Sequence, residues 1–144
     1  MWEGCEATGR ARSLQKVVCA KPAQRWMEQE MPTEWAKATG SRGSWFAMVE
    51  GERLACVHTH WCNWTAQTYH DPWVLPGRAH SDEFVDVIRD KMNVILCEDE
   101  ITENPGKEPG FTRKKYIALW EVSDIAWDED GLRFRFAKRG KSLQ

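Results

Sequence analysis

The residues best suited to chemistry lie between Leu54 and Asp71, a stretch with three of the chain's four histidines and two of its five cysteines. If residues 53–62 form a β-strand, every second side chain points to the same face. Imidazole and thiolate groups on one face are typical zinc ligands. The face that this pattern predicts would carry Cys56, His58, His60 and Cys62.

A metal site is the first interpretation of this stretch. Two histidines one residue apart on a strand lie about 6 to 7 Å apart at the backbone and can bind one ion. A third ligand must come from the following loop, where His70, Asp71 and His80 are the candidates. Two nitrogens, a carboxylate and an open position describe a hydrolytic zinc site, which lowers the pKa of bound water to about 7. We therefore predict zinc as the cofactor, with ligands from His58, His60, His70 and Asp71.

The same residues resemble the motif of the JAMM (MPN) metallopeptidases, a family of zinc isopeptidases and related hydrolases. In that family His-x-His is followed, after seven residues, by Ser-x-x-Asp. Here His58-Thr59-His60 is followed by Thr68-Tyr69-His70-Asp71, a similarity that covers 14 residues. The resemblance implies that His58, His60 and Asp71 bind zinc, and that Thr68 takes the place of the serine that helps hold the reacting oxyanion. The implied substrate is a peptide or small molecule with an acyl or related bond.

A cysteine nucleophile is a further catalytic possibility. Cys62 with His60 or His70 as its base would form a thiolate–imidazole pair. This arrangement would make Cys62 a catalytic residue of an enzyme that needs no metal.

The alternative function is a non-enzymatic binding module. Four aromatic residues within 13 positions are suited to holding a cation or stacking on a base. Arg133 and Arg135 alternate with apolar residues in the last predicted strand, so they face outward and could contact phosphates. The partner of such a module would be nucleic acid, a cationic ligand or a protein. The four aromatic residues are Trp61, Trp64, Tyr69 and Trp73.

The elements that position these residues indicate a single α+β domain over residues 13–144, preceded by a loosely ordered arm at residues 1–12. Its predicted parts are an amino-terminal helical segment and a mixed, mostly antiparallel sheet of about five strands with one central helix, roughly residues 81–92. One hairpin joins residues 44–49 to residues 53–62, and a second joins residues 115–127 to residues 132–137. Residues 93–97 form the fifth strand, and residues 63–79 form a long aromatic loop.

The composition sets limits on the function. The 144 residues are 42% hydrophobic and 29% charged, with a net charge of −2, so nonspecific binding to nucleic acid or anionic membranes is not expected. An odd number of irregularly spaced cysteines does not indicate a disulfide framework. The sequence has no secretory signal and no apolar run of about 18 residues, which predicts a cytoplasmic protein that does not insert into membranes.

Overall fold

A computed structural model describes residues 34–40 and 44–144 of the chain. The predicted arm at residues 1–12, and the predicted helical segment as far as residue 33, lie outside the described residues. The described residues are 58% strand and 13% helical, with one α-helix, and their strands form one nine-stranded mixed sheet. The prediction of an α+β domain with about five strands and a central helix is therefore wrong.

Nine strands and one α-helix follow one another along the described chain. The helix α1 (Ser81–Lys91) lies between the sixth and seventh strands, and a 3₁₀ turn at Thr59–Trp61 follows the fourth. The strands are β1 (Trp35–Ala36), β2 (Ala38–Thr39), β3 (Phe46–Val49), β4 (Glu52–His58), β5 (Cys62–Asn63), β6 (Thr68–Asp71), β7 (Asn93–Thr102), β8 (Gly110–Asp128) and β9 (Gly131–Leu143).

The sheet closes on itself through β1 and β2. The strand order is β2-β3-β4-β7-β8-β9-β6-β5, and β1 pairs in parallel with β9. Because Lys37 alone separates β1 from β2, this segment joins β9 to β3. The described end of the predicted amino-terminal helical segment is therefore strand, at Trp35–Ala36 and Ala38–Thr39. Their main-chain groups pair with distant strands, and such tertiary pairing overrides local preference.

Both predicted hairpins are confirmed as antiparallel pairs, β3 with β4 and β8 with β9. The first hairpin turns at Glu50 and Gly51, which have φ angles of 51° and 82°. The strands of the second are longer than predicted, because β8 extends back to Gly110 to pair with β7 and the end of β9 pairs with β1.

β4 ends at His58, four residues before the predicted end of that strand at Cys62. Between these residues the chain forms the 3₁₀ turn and leaves the place that β4 occupies between β3 and β7. It then enters β5, which pairs with β6. His60 therefore lies in the turn and not beside His58 on a strand. The prediction that four ligand side chains share one strand face is wrong beyond His58.

The predicted helix near residues 81–92 is confirmed as α1. Its N-cap is His80, in the left-handed region with φ of 70°, and its first residue, Ser81, is buried. The buried side chains of Phe84 and Ile88 lie on the face that packs against β4 and β7. No helix within residues 34–40 and 44–144 is long and apolar enough to cross a membrane.

The side chains that β4 and β7 direct into the closed sheet become more polar towards the carboxyl ends of these two parallel strands. The apolar members pack with buried residues of β2, β3 and β9 in one core cluster. The polar members lie at the end of the closed sheet, where β8 begins. In order, the inward-facing residues are Leu54, Cys56 and His58 on β4, and Ile95, Cys97 and Asp99 on β7.

Candidate functional site

A buried ion-pair network holds His58 at the end of β4. The His58 Nδ1 atom contacts the Asp99 carboxylate, and the Arg113 Nε atom donates a 2.7 Å hydrogen bond to the other carboxylate oxygen. The side chains of Asp99 and Arg113 are 1% and 5% exposed, while that of His58 is 18% exposed. Because the carboxylate takes Nδ1, the Nε2 atom is the ring nitrogen left for another partner.

Arg113 fixes this carboxylate by reaching three different parts of the fold. Besides Asp99, it donates hydrogen bonds to the carbonyl oxygen of Ser44 at 3.2 Å and to the Cys56 sulfur at 3.5 Å. Burial acts to raise the pKa of Asp99, but its hydrogen bonds with His58 and Arg113 outweigh burial and hold that pKa below its usual value. Asp99 is therefore an anion that orients the imidazole. We call His58, Asp99, Arg113 and Cys56 the His58 network.

The thiols around this network differ in their chemistry. A hydrogen bond with Cys97 lowers the pKa of Cys56, against the effect of burial, and Arg113 lowers it further. Burial raises the pKa of Cys97 and that of Cys62, whose thiol lies 3.5 Å from the carbonyl oxygen of His58. The Cys62 thiol therefore contacts the backbone of His58, and its raised pKa is not that of an activated nucleophile.

Aromatic side chains pack around the His58 ring. Phe111 stacks on it with ring centroids 4.1 Å apart and an interplanar angle of 10°. His60 packs against Trp61 at 4.6 Å, and both rings lie within 6.3 Å of Phe111. Of the predicted aromatic group, Trp61 thus lies beside this site, whereas Tyr69 is a core residue stacked on Phe134.

The two faces of β6 divide the other predicted site residues. Tyr69 and Asp71 are buried, and the Tyr69 hydroxyl accepts a 3.4 Å hydrogen bond from the backbone N–H of His58. Thr68 and His70 alternate with them and lie on the opposite, solvent-facing side. The structure therefore brings Asp71 to the side of β6 that faces His58, and places the predicted catalytic Thr68 and the predicted ligand His70 away from it.

Asp71 already has local partners. Its Oδ1 atom accepts a 2.9 Å hydrogen bond from the backbone N–H of Trp73, and burial raises its pKa. Within residues 34–40 and 44–144, no group of three or more histidine, cysteine, aspartate or glutamate side chains is arranged to hold a metal ion. The zinc site stays a prediction.

The outer face of β6 and β9 has a second group of polar side chains. The strand register places Thr68 opposite Arg135 and His70 opposite Arg133. Together with Asp124 they surround a depression of about 330 Å³ whose remaining lining comes from the buried rings beneath. Asp124 reaches it from an irregular part of β8, where its φ of 55° accompanies a shift in register. We call this site the outer depression.

Sequence reasoning missed Asp99, Phe111 and Arg113 as site residues. Asp99 belongs to an acidic run that resembles a solvated surface, and Arg113 belongs to a basic run of the same kind. The two-residue period of a strand could have identified Asp99, because it places Ile95, Cys97 and Asp99 on one face of β7. The partner of Asp99 across the β7–β8 pair could not be identified without the register.

Comparisons with protein families, with curated proteins and with solved structures found no match to the chain. What the His58 network and the outer depression can do therefore follows from their own chemistry.

Proposed function

We propose that the chain is a zinc-dependent hydrolase in which the Nε2 atom of His58 is the first metal ligand. The observation that carries this proposal is the buried Asp99 carboxylate on His58 Nδ1. Histidines that bind metals commonly donate their other ring N–H to a carboxylate, which fixes the tautomer and the ring orientation. The Arg113 guanidinium, in turn, holds Asp99 in place.

Two carboxylates are the proposed further ligands, Asp71 and Glu108. The pKa of Glu108 is raised, first by burial and then by the negative charge of Asp71, while Arg78 and His58 act in the opposite direction. The pKa of Asp71 is raised by burial and lowered in part by His58. The two acids and the histidine thus lie within electrostatic range of one another, and a cation between them would relieve the repulsion. To share a zinc ion with His58 Nε2, the side chains of Asp71 and Glu108 must turn towards that atom.

The proposed reaction is attack of zinc-activated water on an acyl or related bond of a peptide or small molecule. Zinc would lower the pKa of the bound water to about 7 and polarise the carbonyl of the substrate. The protein would supply the fixed imidazole through Asp99. The aromatic cover of Phe111 and Trp61 would limit the access of bulk water to the metal.

Elemental analysis of the purified chain, after reconstitution with zinc and removal of excess metal, tests this proposal. We expect about one zinc ion per chain in the wild type, and little in His58→Ala or Asp71→Asn. His80→Asn is the matched control, because it removes an exposed histidine and asparagine tolerates the left-handed conformation of residue 80. Hydrolysis of p-nitrophenyl acetate should follow zinc content. A wild type without zinc, or equal zinc in His58→Ala, would contradict the proposal.

We also propose a cytoplasmic location. Cys56, Cys62 and Cys97 are free thiols, which supports a reducing compartment. Labelling of an epitope-tagged chain in fractionated cells tests this proposal, and recovery in a secreted fraction would contradict it.

A further inference from the structure

We propose that the outer depression binds a phosphate group carried by a small molecule. This inference is independent of the zinc site, since it uses the opposite face of β6. Its first support is the rigid placement of its polar side chains. The residues that alternate with them, Tyr69 and Phe134, are 1% and 2% exposed and stack with ring centroids 4.7 Å apart. This buried pair holds β6 and β9 in register and directs the two arginines outward.

The second support is the set of hydrogen-bond donors. Arg133 and Arg135 each present a guanidinium, the group that matches the geometry of phosphate oxygens. The Nε atom of Arg133 is buried and has no hydrogen-bond partner in the described part of the chain. Thr68 lies opposite Arg135 in the register of β6 and β9, and its hydroxyl adds a neutral donor to the lining. Three donor groups from two paired strands therefore line one depression.

The acids near the depression are weak competitors for these arginines. Arg133 Nη2 lies 2.6 Å from an Asp128 oxygen, and Arg135 Nε lies 3.5 Å from an Asp124 oxygen. All four side chains are more than a third exposed, so water screens both ion pairs. A phosphate carries more charge and can take two parallel hydrogen bonds from one guanidinium. Phosphate can therefore replace or bridge these contacts.

The surroundings favour a small phosphorylated molecule over a long nucleic-acid strand. Three aspartates lie close to the depression: Asp124, Asp128 and Asp130. Asp130 is placed there by its carbonyl oxygen, which accepts a 2.6 Å hydrogen bond from His70 Nε2. A strand would carry further phosphates past these acids, which repel them. The depression, at about 330 Å³, has room for a phosphate and part of an attached organic group.

Calorimetric titration of the full chain with inorganic phosphate and with adenosine monophosphate tests this inference. The titrations contain a chelator, so that phosphate bound to zinc does not contribute. We expect both probes to bind the wild type, and binding to weaken about tenfold or more in Arg135→Gln and measurably in Thr68→Val. The matched control is Arg53→Gln, which removes another exposed arginine from an ion pair, that with Glu83. It should leave phosphate binding unchanged.

Three results would overturn the inference: no binding of either probe to the wild type, equal loss in Arg53→Gln and Arg135→Gln, or binding of a single-stranded oligothymidine alone. Arg135 is the principal test because its side chain is 54% exposed, so its replacement leaves the fold intact. His58→Ala should bind phosphate like the wild type. A failed zinc site and a failed phosphate site are therefore distinguishable.

Discussion

The His58 network and the outer depression each pair an arginine with an aspartate, but in opposite surroundings. In the His58 network, the side chains of the inner pair, Arg113 and Asp99, are 5% and 1% exposed. At the outer depression, those of the outer pair, Arg135 and Asp124, are 54% and 77% exposed. The inner pair lies 2.7 Å apart and the outer pair 3.5 Å apart. The difference in burial thus distinguishes the inner pair, which is fixed, from the outer pair, whose arginine can exchange its partner.

This difference indicates different uses for the two sites. A buried pair is costly to separate, because each charge left alone has lost its hydration. Such a pair suits the task of holding the His58 ring in one orientation. An exposed pair contributes little to stability, so its arginine can turn to an incoming anion at small cost. The first arrangement favours chemistry at a fixed nitrogen, and the second favours reversible binding.

The largest expected effect comes from breaking the inner pair with Asp99→Asn. This change leaves the Arg113 charge buried without a counter-charge and should lower the free energy of unfolding by about 3 to 5 kcal/mol. Urea unfolding followed by tryptophan fluorescence measures it. Glu98→Gln is the control on the same strand, since its ion pair with Lys115 is exposed. A loss below about 1 kcal/mol for Asp99→Asn would show that the inner pair behaves like a surface pair.

The sequence predicted the hairpins, the helix and the alternation of the last strand. Phe134 and Phe136 are buried while Arg135 between them is exposed, as the period of two predicts. In the same way Cys56 and His58 share the inner face of β4. These features depend on local pattern, which a single sequence contains.

The closed sheet and the inner site could not be predicted in this way. Residues 35–39 are strands because β9 and β3 lie beside them, although these partners are distant in sequence. Asp99 belongs to an acidic run that resembles a solvated face. Its side chain is nevertheless 1% exposed, because it lies on the same face of β7 as Cys97 and opposite Arg113. A buried charge becomes recognisable when its partner is known, and the register supplies that partner.

An intermediate effect is expected in the pH dependence of stability. The pKa of Asp99 lies below its value in the unfolded chain, which is about 3.9. The stability that Asp99 contributes is therefore fully present above about pH 4 and is lost as the pH falls through the lower, folded pKa. The pKa of Asp71 is raised by burial, so Asp71 acts in the opposite direction: the stability from its neutral form is lost as the pH rises through its folded pKa.

Two variants separate these opposing contributions. Asp99→Asn should flatten the fall in stability below about pH 4, whereas Asp71→Asn should remove the gain in stability that Asp71 gives as the pH falls from neutral towards about 4. Urea unfolding at a series of pH values from neutral to acid measures both slopes. An acid limb with the wild-type slope in Asp99→Asn would contradict the role of Asp99 as the anion of the inner pair.

The smallest effect on stability, and the sharpest contrast with Asp99→Asn, is expected from Asp124→Asn at the outer depression. Asparagine adopts the left-handed conformation of residue 124 readily, and the ion pair that it removes is exposed, so the free energy of unfolding should change by less than about 0.5 kcal/mol. The same change releases Arg135 and should tighten phosphate binding several-fold, as measured by calorimetry. Weaker phosphate binding in this variant would mean that Asp124 positions Arg135 and does not compete with the ligand. The same substitution, aspartate to asparagine beside an arginine, is thus expected to destabilise the protein in the His58 network and to improve binding at the outer depression.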